Sequence, residues 1–252
     1  MSQLQKRIQR LQRRDGPAIG FGRVTREQPR AMALIATARS ASEAKAAIDA
    51  EVDAVLIEAG DASSAAKAMD GVASEKLAVG ALLASLNEAD AEALRNAKCD
   101  FVISPLETTD SAAVDTEKMG QAIRASQEME DNTLRAIGPL GFDGLFVQRS
   151  PGAMTLGQQL GLVRLASFAS TGLIVTVDAD ASVGELRVLR DSGTLAVVAP
   201  VGTSADGLKK LSETLKAVPA PKKGKREGND IALVPSSHAA SEDEGEEEDG
   251  DE

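Results

Sequence analysis

The hexapeptide VDAVLI at residues 52–57 recurs along the chain as CDFVIS at 99–104, as FDGLFV at 142–147 and, without the aspartate, as TLAVVA at 194–199. Each copy follows a helix-like segment rich in small residues and is itself a short apolar run bounded by turn residues. This is the pattern of a helix, a tight turn and a buried strand. The copies begin about 43 to 52 residues apart, which is the length of two strand-plus-helix units.

A second set of apolar runs lies between these copies, at residues 32–38, 77–83, 120–125 and 173–177. The two sets together give eight candidate strands within about 170 residues, separated by helical segments. That number and order predict an α/β fold, a single (β/α)8 TIM barrel. The weakest predicted elements are the strand at 120–125, which glycine and glutamine dilute, and the helix before it, for which only residues 111–114 are available.

The composition fits one large core. The chain has 252 residues, of which 42% are hydrophobic and only 2% aromatic, so Ala, Val, Leu and Ile must fill the interior. No apolar run approaches 18 residues, and the basic N-terminus lacks an apolar segment, so neither a membrane span nor a secretory signal is expected. The single cysteine, Cys99, cannot form an internal disulfide and fits a reducing, cytoplasmic compartment. It precedes a strand, where we expect a small buried hydrophobe.

The charge is unevenly distributed. Residues 219–252 contain four basic and eleven acidic side chains, a net charge of −7, and the other 218 residues therefore carry −4 of the total of −11. We expect three parts: an N-terminal helix and lead-in at 1–30, the barrel at 31–218, and a disordered acidic tail at 219–252. The barrel has no net positive charge to attract phosphate backbones, so nucleic-acid binding is not expected.

The N-terminal segment is basic and amphipathic. Residues 1–14 place Leu4, Ile8 and Leu11 at helical spacing among arginines and lysines. Such a helix either closes the N-terminal mouth of the barrel or binds a protein partner or an anionic surface. Three apolar residues are too few for firm membrane attachment. The sequence GFGR at 20–23 precedes the first strand instead of following one, which favours a lead-in over a phosphate loop.

Several helices have recognisable start signals. Ser40 with Glu43, and Ser182 with Glu185, have the spacing of a capping box. Asn87 is suited to begin the helix at 88–97, and Thr203 or Ser204 the last one. These positions also mark where each strand of the barrel ends.

In a barrel of this kind, functional residues lie at the C-terminal ends of the strands. The polar residues predicted there are Arg39, Glu58, Ser104, Glu107, Arg124, Gln148, Arg149, Asp178, Asp180, Thr203 and Ser204. The only histidine, His238, lies in the tail, no lysine falls at a strand end, and the chain has no tyrosine or tryptophan. These absences exclude imidazole acid–base catalysis and Schiff-base aldol chemistry at the mouth.

The remaining chemistry is that of carboxylates and guanidinium groups. Glu58 and Asp178 are the candidate catalytic bases, and Asp178 with Asp180 the candidate ligands of Mg²⁺ as a cofactor. Three arginines could hold a phosphate or carboxylate by paired hydrogen bonds, namely Arg39, Arg124 and Arg149. The alternative is that these acids and arginines neutralise one another as ion pairs around a polar rim.

The sequence FDGLFV at 142–147, together with LRVLRDSG at 186–193 and VVAPVGTS at 197–204, resembles the aldolase-type and phosphate-binding TIM barrels. That group includes synthases of tryptophan, histidine and thiamine biosynthesis. The resemblance implies a substrate phosphate held by loops after strands seven and eight and by a helix N-terminus. Gly202, Thr203 and Ser204 match the strand-eight part, whereas an Asp-Ala-Asp sequence stands at 178–180, where paired glycines are expected.

Two functions therefore remain open. One is a barrel that binds a small phosphorylated or carboxylated metabolite, with a Mg²⁺-assisted lyase, isomerase or synthase reaction as its enzymatic form. The other is a barrel without catalysis that acts as a binding or scaffold protein, as a homo-oligomer or through its N-terminal helix or acidic tail. The three arginines favour anion binding, and enzymatic activity stays open.

Overall fold

Eight parallel strands close into a barrel in the computed structural model, which describes residues 1–12, 30–73 and 77–219. The strands are Ala33–Ala38 (β1), Ala54–Glu58 (β2), Ala78–Leu82 (β3), Phe101–Pro105 (β4), Gly120–Ala125 (β5), Gly144–Val147 (β6), Leu173–Thr176 (β7) and Thr194–Ala199 (β8). They pair in chain order, and β8 pairs with β1. The predicted (β/α)8 barrel is confirmed, including the diluted fifth strand. The predicted acidic tail and the lead-in at 20–23 lie outside the described residues.

Helices surround the barrel and precede it. They are Gln3–Gln12 (α1), Ala41–Asp49 (α2), Ala62–Met69 (α3), Glu88–Asn96 (α4), Asp131–Ile137 (α5), Leu156–Ala169 (α6), Val183–Asp191 (α7) and Ala205–Ala217 (α8). Short 3₁₀ helices occupy Ser111–Ala113 and Gly138–Leu140. None of the helices in the described part of the chain has the length and hydropathy that a membrane crossing requires.

The weak helix between β4 and β5 is reduced to the 3₁₀ turn Ser111–Ala113. Beneath it the helix-facing side of the strands carries polar residues instead of an apolar surface. The Gln121 amide donates to the Ser104 hydroxyl at 2.9 Å, and the Thr109 hydroxyl donates to it at 2.7 Å. Both Ser104 and Gln121 are buried, and these bonds satisfy polar groups that would otherwise be costly to bury.

The core has two layers, as strand alternation requires. In β1, Ala33 and Ile35 face the barrel interior, whereas Leu34 and Ala36 pack against the helices. The interior holds two large rings, Phe101 and Phe146, among small residues. A Cβ at Gly80 would lie 2.4 Å from the Phe101 ring, so glycine leaves the space that this ring fills.

The first helix closes the N-terminal mouth. Leu4 and Ile8 are buried in the cluster that fills the barrel interior, and Leu11 packs against it. The Asp100 carboxylate accepts hydrogen bonds from the backbone N–H groups of Gln3 at 2.7 Å and Leu4 at 2.9 Å. The apolar face of α1 is therefore covered by its own barrel.

The aspartates of the sequence repeat share this N-terminal position. Asp143 accepts a hydrogen bond from the Ser2 hydroxyl at 2.7 Å. Asp53 pairs with Arg30 at 2.8 Å and accepts from the backbone N–H of Leu34 at 2.8 Å. The repeat that reveals the strands thus anchors the segments lying across the base of the barrel.

Helix starts follow the predicted caps with one difference. Ser40 and Ser182 accept from the backbone N–H groups of Glu43 and Glu185, as expected. The glutamates do not complete the predicted capping boxes. Glu43 instead accepts from the backbone N–H of Arg39 at 2.8 Å, and Glu185 binds the guanidinium of Arg149 at 2.5 Å. A charged partner within reach outcompetes the neutral backbone donor.

Candidate functional site

A cleft of about 530 Å³ opens at the C-terminal mouth of the barrel. Leu56, Phe146 and Val198, which point inward from their strands, form its apolar floor. Its polar lining consists of Thr37, Arg39, Glu58, Arg124, Gln148, Arg149, Ser150, Thr176 and Asp178. We refer to this space as the central cleft. The predicted residues after strands one, two, five, six and seven are therefore brought together.

Two of these residues form an exposed ion pair. The Arg39 guanidinium donates to one Glu58 oxygen through Nε at 3.0 Å and through Nη2 at 2.9 Å. The side chains remain 64% and 39% exposed, so water screens their attraction. The pair can open to admit a ligand at low cost.

Arg149 is held in a different environment. Its side chain is only 6% exposed, and Nη2 lies 2.5 Å from Glu185 and 3.7 Å from Asp178. Nη1 donates to the carbonyl oxygen of Gly152 at 2.6 Å. Its Nε is buried without a hydrogen-bond partner among the described residues. The guanidinium therefore ties the loop after β6 to helix α7, and two carboxylates neutralise its charge.

Arg124 is the exposed arginine with a neutral partner. Its Nη2 donates to the Gln148 carbonyl at 2.7 Å, and no acid in residues 1–12, 30–73 or 77–219 forms an ion pair with it. Its charge is not compensated within the cleft. An anion would find unused N–H donors on this guanidinium.

The residues after strand eight lie around a smaller, separate cleft of about 170 Å³. Gly202 adopts a left-handed conformation with φ of +80°, the Thr203 hydroxyl donates to the Pro200 carbonyl at 2.8 Å, and Ser204 caps α8 by accepting from the N–H of Gly207 at 3.1 Å. Glu43 lines this cleft, whereas Arg149 does not. The geometry does not bring Gly202, Thr203 and Ser204 into one cleft with Arg149.

The two predicted Mg²⁺ ligands differ in placement. Asp178 accepts from the N–H of Gly152 at 2.8 Å and faces the Arg149 guanidinium, while Asp180 is exposed outside the lining of the central cleft. No group of three or more His, Cys, Asp or Glu side chains in the described ranges is arranged to hold a metal ion. Mg²⁺ requires several oxygen ligands, so this donor set does not fit it.

Sequence reasoning missed the roles of Glu185 and Thr176. Glu185 was assigned to a cap, yet it binds Arg149, and the Thr176 hydroxyl accepts from the backbone N–H of Arg149 at 2.7 Å. Period-two alternation was the available signal. In β6, Phe146 points inward, so Gln148 continues the inward series and Arg149 turns toward the helices.

No family model matches the sequence, and no curated protein matches it. Solved structures do match the fold. Tryptophan synthase from M. tuberculosis is 10% identical with a TM-score of 0.59, over 86% of this chain and 98% of that one. KGPDC from Streptococcus mutans, solved as a complex with a phosphorylated sugar, is 12% identical with a TM-score of 0.57, over 75% and 99%.

A structure described as native KDPGal is 16% identical with a TM-score of 0.50, over 73% of this chain and 93% of that chain. Identities this low carry information about the fold alone. All three matches are aldolase-type TIM barrels. The chain therefore has the fold of the aldolase-type TIM barrels.

Proposed function

We propose that the protein binds a small anionic metabolite, phosphorylated or carboxylated, in the central cleft, and that Arg124 holds the anion. The observation that carries this proposal is the uncompensated charge of Arg124, whose hydrogen-bond partner is the neutral Gln148. An anion there gains charge-assisted hydrogen bonds without breaking an existing ion pair. The structural likeness to KGPDC, which was solved with a phosphorylated sugar, is in keeping with a metabolite in this mouth.

The other arginines take supporting roles in this proposal. Arg39 is a second anion contact once its exposed pair with Glu58 opens. Arg149 acts indirectly, because its Nη groups are engaged and its Nε is buried. It fixes the loop at 149–152, which forms one wall of the cleft. The loop at 202–204 offers backbone N–H groups to a second small anion in its own cleft.

Of the two candidate bases, Glu58 is better suited to proton transfer. Its carboxylate is partly exposed in the cleft and has one arginine partner, whereas Asp178 is held by both a backbone N–H and a buried guanidinium. A reaction at this mouth would then be metal-independent, with Glu58 as the base. Binding is the function that the geometry supports, and catalysis is the further question that a bound ligand would open.

The test is a calorimetric titration of the full chain with inorganic phosphate and with a panel of phosphorylated and carboxylated metabolites, with and without Mg²⁺. For a ligand that binds, Arg124→Gln should weaken binding by about 10- to 100-fold, since charged hydrogen bonds contribute about 1.5–3 kcal/mol. Arg187→Gln, on the outer surface of α7, is the matched control and should leave the affinity unchanged. Equal affinities in the two variants would contradict the proposal.

A second candidate function, self-association without catalysis, is favoured by helix α6. Its outward face carries Leu156 and Leu160, which are 71% and 61% exposed, and Val163 one turn further on. A two-fold contact would pair this uncharged stripe with itself and avoid repulsion between copies that each carry a charge of −11. Light scattering should then show a dimer that Leu160→Glu converts to a monomer. A monomer at all concentrations in the unaltered chain would exclude this function.

A further inference from the structure

A second space, which we call the lateral cleft, adjoins the central cleft. It has a volume of about 560 Å³ and lies between the loop after β5 and the start of α6. Arg124, Gln148 and the loop residues Ser150 and Pro151 line both clefts. A ligand whose anion is held by Arg124 can therefore extend into either space.

The lateral cleft is lined by uncharged hydrogen-bonding groups apart from the two arginines at its junction. Three carboxamides, Gln127, Gln148 and Gln158, surround it together with Ser126. Ala125, Val147 and Leu162 supply its apolar surface. Because Arg149 is already neutralised by Glu185 and Asp178, Arg124 alone offers a charge to a ligand here.

The existing hydrogen bonds leave a mixed set of donors and acceptors. The Gln148 carbonyl is used by Arg124 and the Gln158 carbonyl by the N–H of Thr155 at 2.8 Å, so both NH₂ groups remain as donors. The Gln127 NH₂ donates to the backbone carbonyl of Gln158 at 3.3 Å, so its own carbonyl remains as an acceptor. The described residues thus leave two NH₂ donors and one carbonyl acceptor.

We propose that the lateral cleft is a subsite for an uncharged carboxamide arm on the anionic ligand. This inference rests on the proposed function, because Arg124 must hold the anion at the junction. A carboxamide carbonyl accepts from Gln148 or Gln158 while its NH₂ donates to Gln127. A second carboxylate in the same place could not donate to Gln127, and a methyl group would leave all three groups unsatisfied.

Three probes of similar size separate these possibilities: succinamate, succinate and butyrate, which differ only in carrying a carboxamide, a carboxylate or a methyl arm. Titration of the full chain, followed by protein NMR at millimolar ligand, should give a dissociation constant for succinamate about tenfold lower than for the other two. Equal affinities, or a preference for succinate, would overturn the subsite.

Two variants locate the effect. Ser126→Phe fills the lateral cleft and should abolish the preference for succinamate, whereas Ser167→Phe, an exposed serine on α6, should keep it. Gln127→Leu removes the acceptor with little change in volume and should reduce succinamate binding to the level of butyrate. Retention of the preference in both Ser126→Phe and Gln127→Leu would overturn the proposal.

The two levels of the account fail in different ways. If all three probes bind equally and Arg124→Gln weakens each of them, the anion site stands and the lateral subsite is wrong. If none of the probes and no phosphate binds, both proposals are wrong.

Discussion

Arg149 shows how a residue at a predicted anion site can be committed to structure. Its guanidinium is almost fully buried, and Glu185, Asp178 and the Gly152 carbonyl take up its Nη groups. A buried charge pair of this kind is costly to break, because the remaining charge stays buried without its partner. The loop after β6 and helix α7 are therefore coupled through one side chain.

We expect Glu185→Gln to lower the free energy of unfolding by about 3 kcal/mol, at the lower end of the range for breaking a buried pair because Asp178 stays nearby. Urea denaturation measures the change. Glu92→Gln, an exposed residue on α4, is the control and should stay within about 0.5 kcal/mol of the unaltered chain. A similarly small effect of Glu185→Gln would show that the pair contributes little to folding.

Asp143 gives a pH-dependent prediction at the other end of the barrel. Burial raises the pKa of its carboxyl group above 3.8, and the nearby Asp100 acts in the same direction, while the hydrogen bond from Ser2 and the N-terminal amine lower it. The folded state then holds the proton more tightly than the unfolded state. Its contribution to stability rises as the pH falls through the folded pKa toward 3.8.

The free energy of unfolding of the unaltered chain, measured relative to Asp143→Asn, should therefore increase as the pH is lowered from neutrality toward 3.8. Denaturant titrations at a series of pH values give this difference directly, and effects of other carboxyl groups cancel in it. A difference that falls with decreasing pH would mean that the Ser2 hydrogen bond and the N-terminal amine outweigh burial.

Helix α1 depends on acids that belong to other elements. The Asp100 carboxylate accepts from the first two N–H groups of the helix, and Asp143 binds Ser2 just before it. Helix N-termini favour negative charge, because their N–H groups lack partners within the helix. The apolar residues of α1 then fill the interior of the barrel base.

Asp100→Ala should destabilise the chain by about 1–2 kcal/mol, the usual cost of losing an N-terminal cap. Hydrogen exchange at the amide of Leu4 should accelerate by more than the global change explains, because α1 opens locally. Asp70→Ala, at the exposed end of α3, is the matched control. If Leu4 exchange stays at the rate of the unaltered chain, Asp100 does not anchor the helix.

Period and spacing predicted the elements well for physical reasons. An apolar run with turn residues at both ends specifies a buried strand, so even the diluted β5 could be placed at 120–125. The side-chain partners could not be predicted in the same way. Glu185 has the spacing of a capping box, yet its partner Arg149 lies 36 residues away and reaches it only in the folded barrel.

The fold separates the two ends of the barrel by role. The N-terminal mouth is closed by α1, and the aspartates of the sequence repeat are used there as anchors. The C-terminal mouth is open, and its arginines range from buried and neutralised to exposed and uncompensated. This division agrees with the general rule that barrels place stability at the base and function at the strand ends. It identifies Arg124 as the residue on which anion binding depends.

The most direct test of this claim is to follow the arginine Nε–H signals of the ¹⁵N-labelled chain by NMR during a titration with inorganic phosphate. The spectrum of Arg124→Gln assigns the Arg124 signal, and that of Arg149→Lys assigns the Arg149 signal. We predict that the Arg124 signal shifts and saturates, while the buried Arg149 signal stays in place. A titration in which the Arg124 signal does not move would contradict the account.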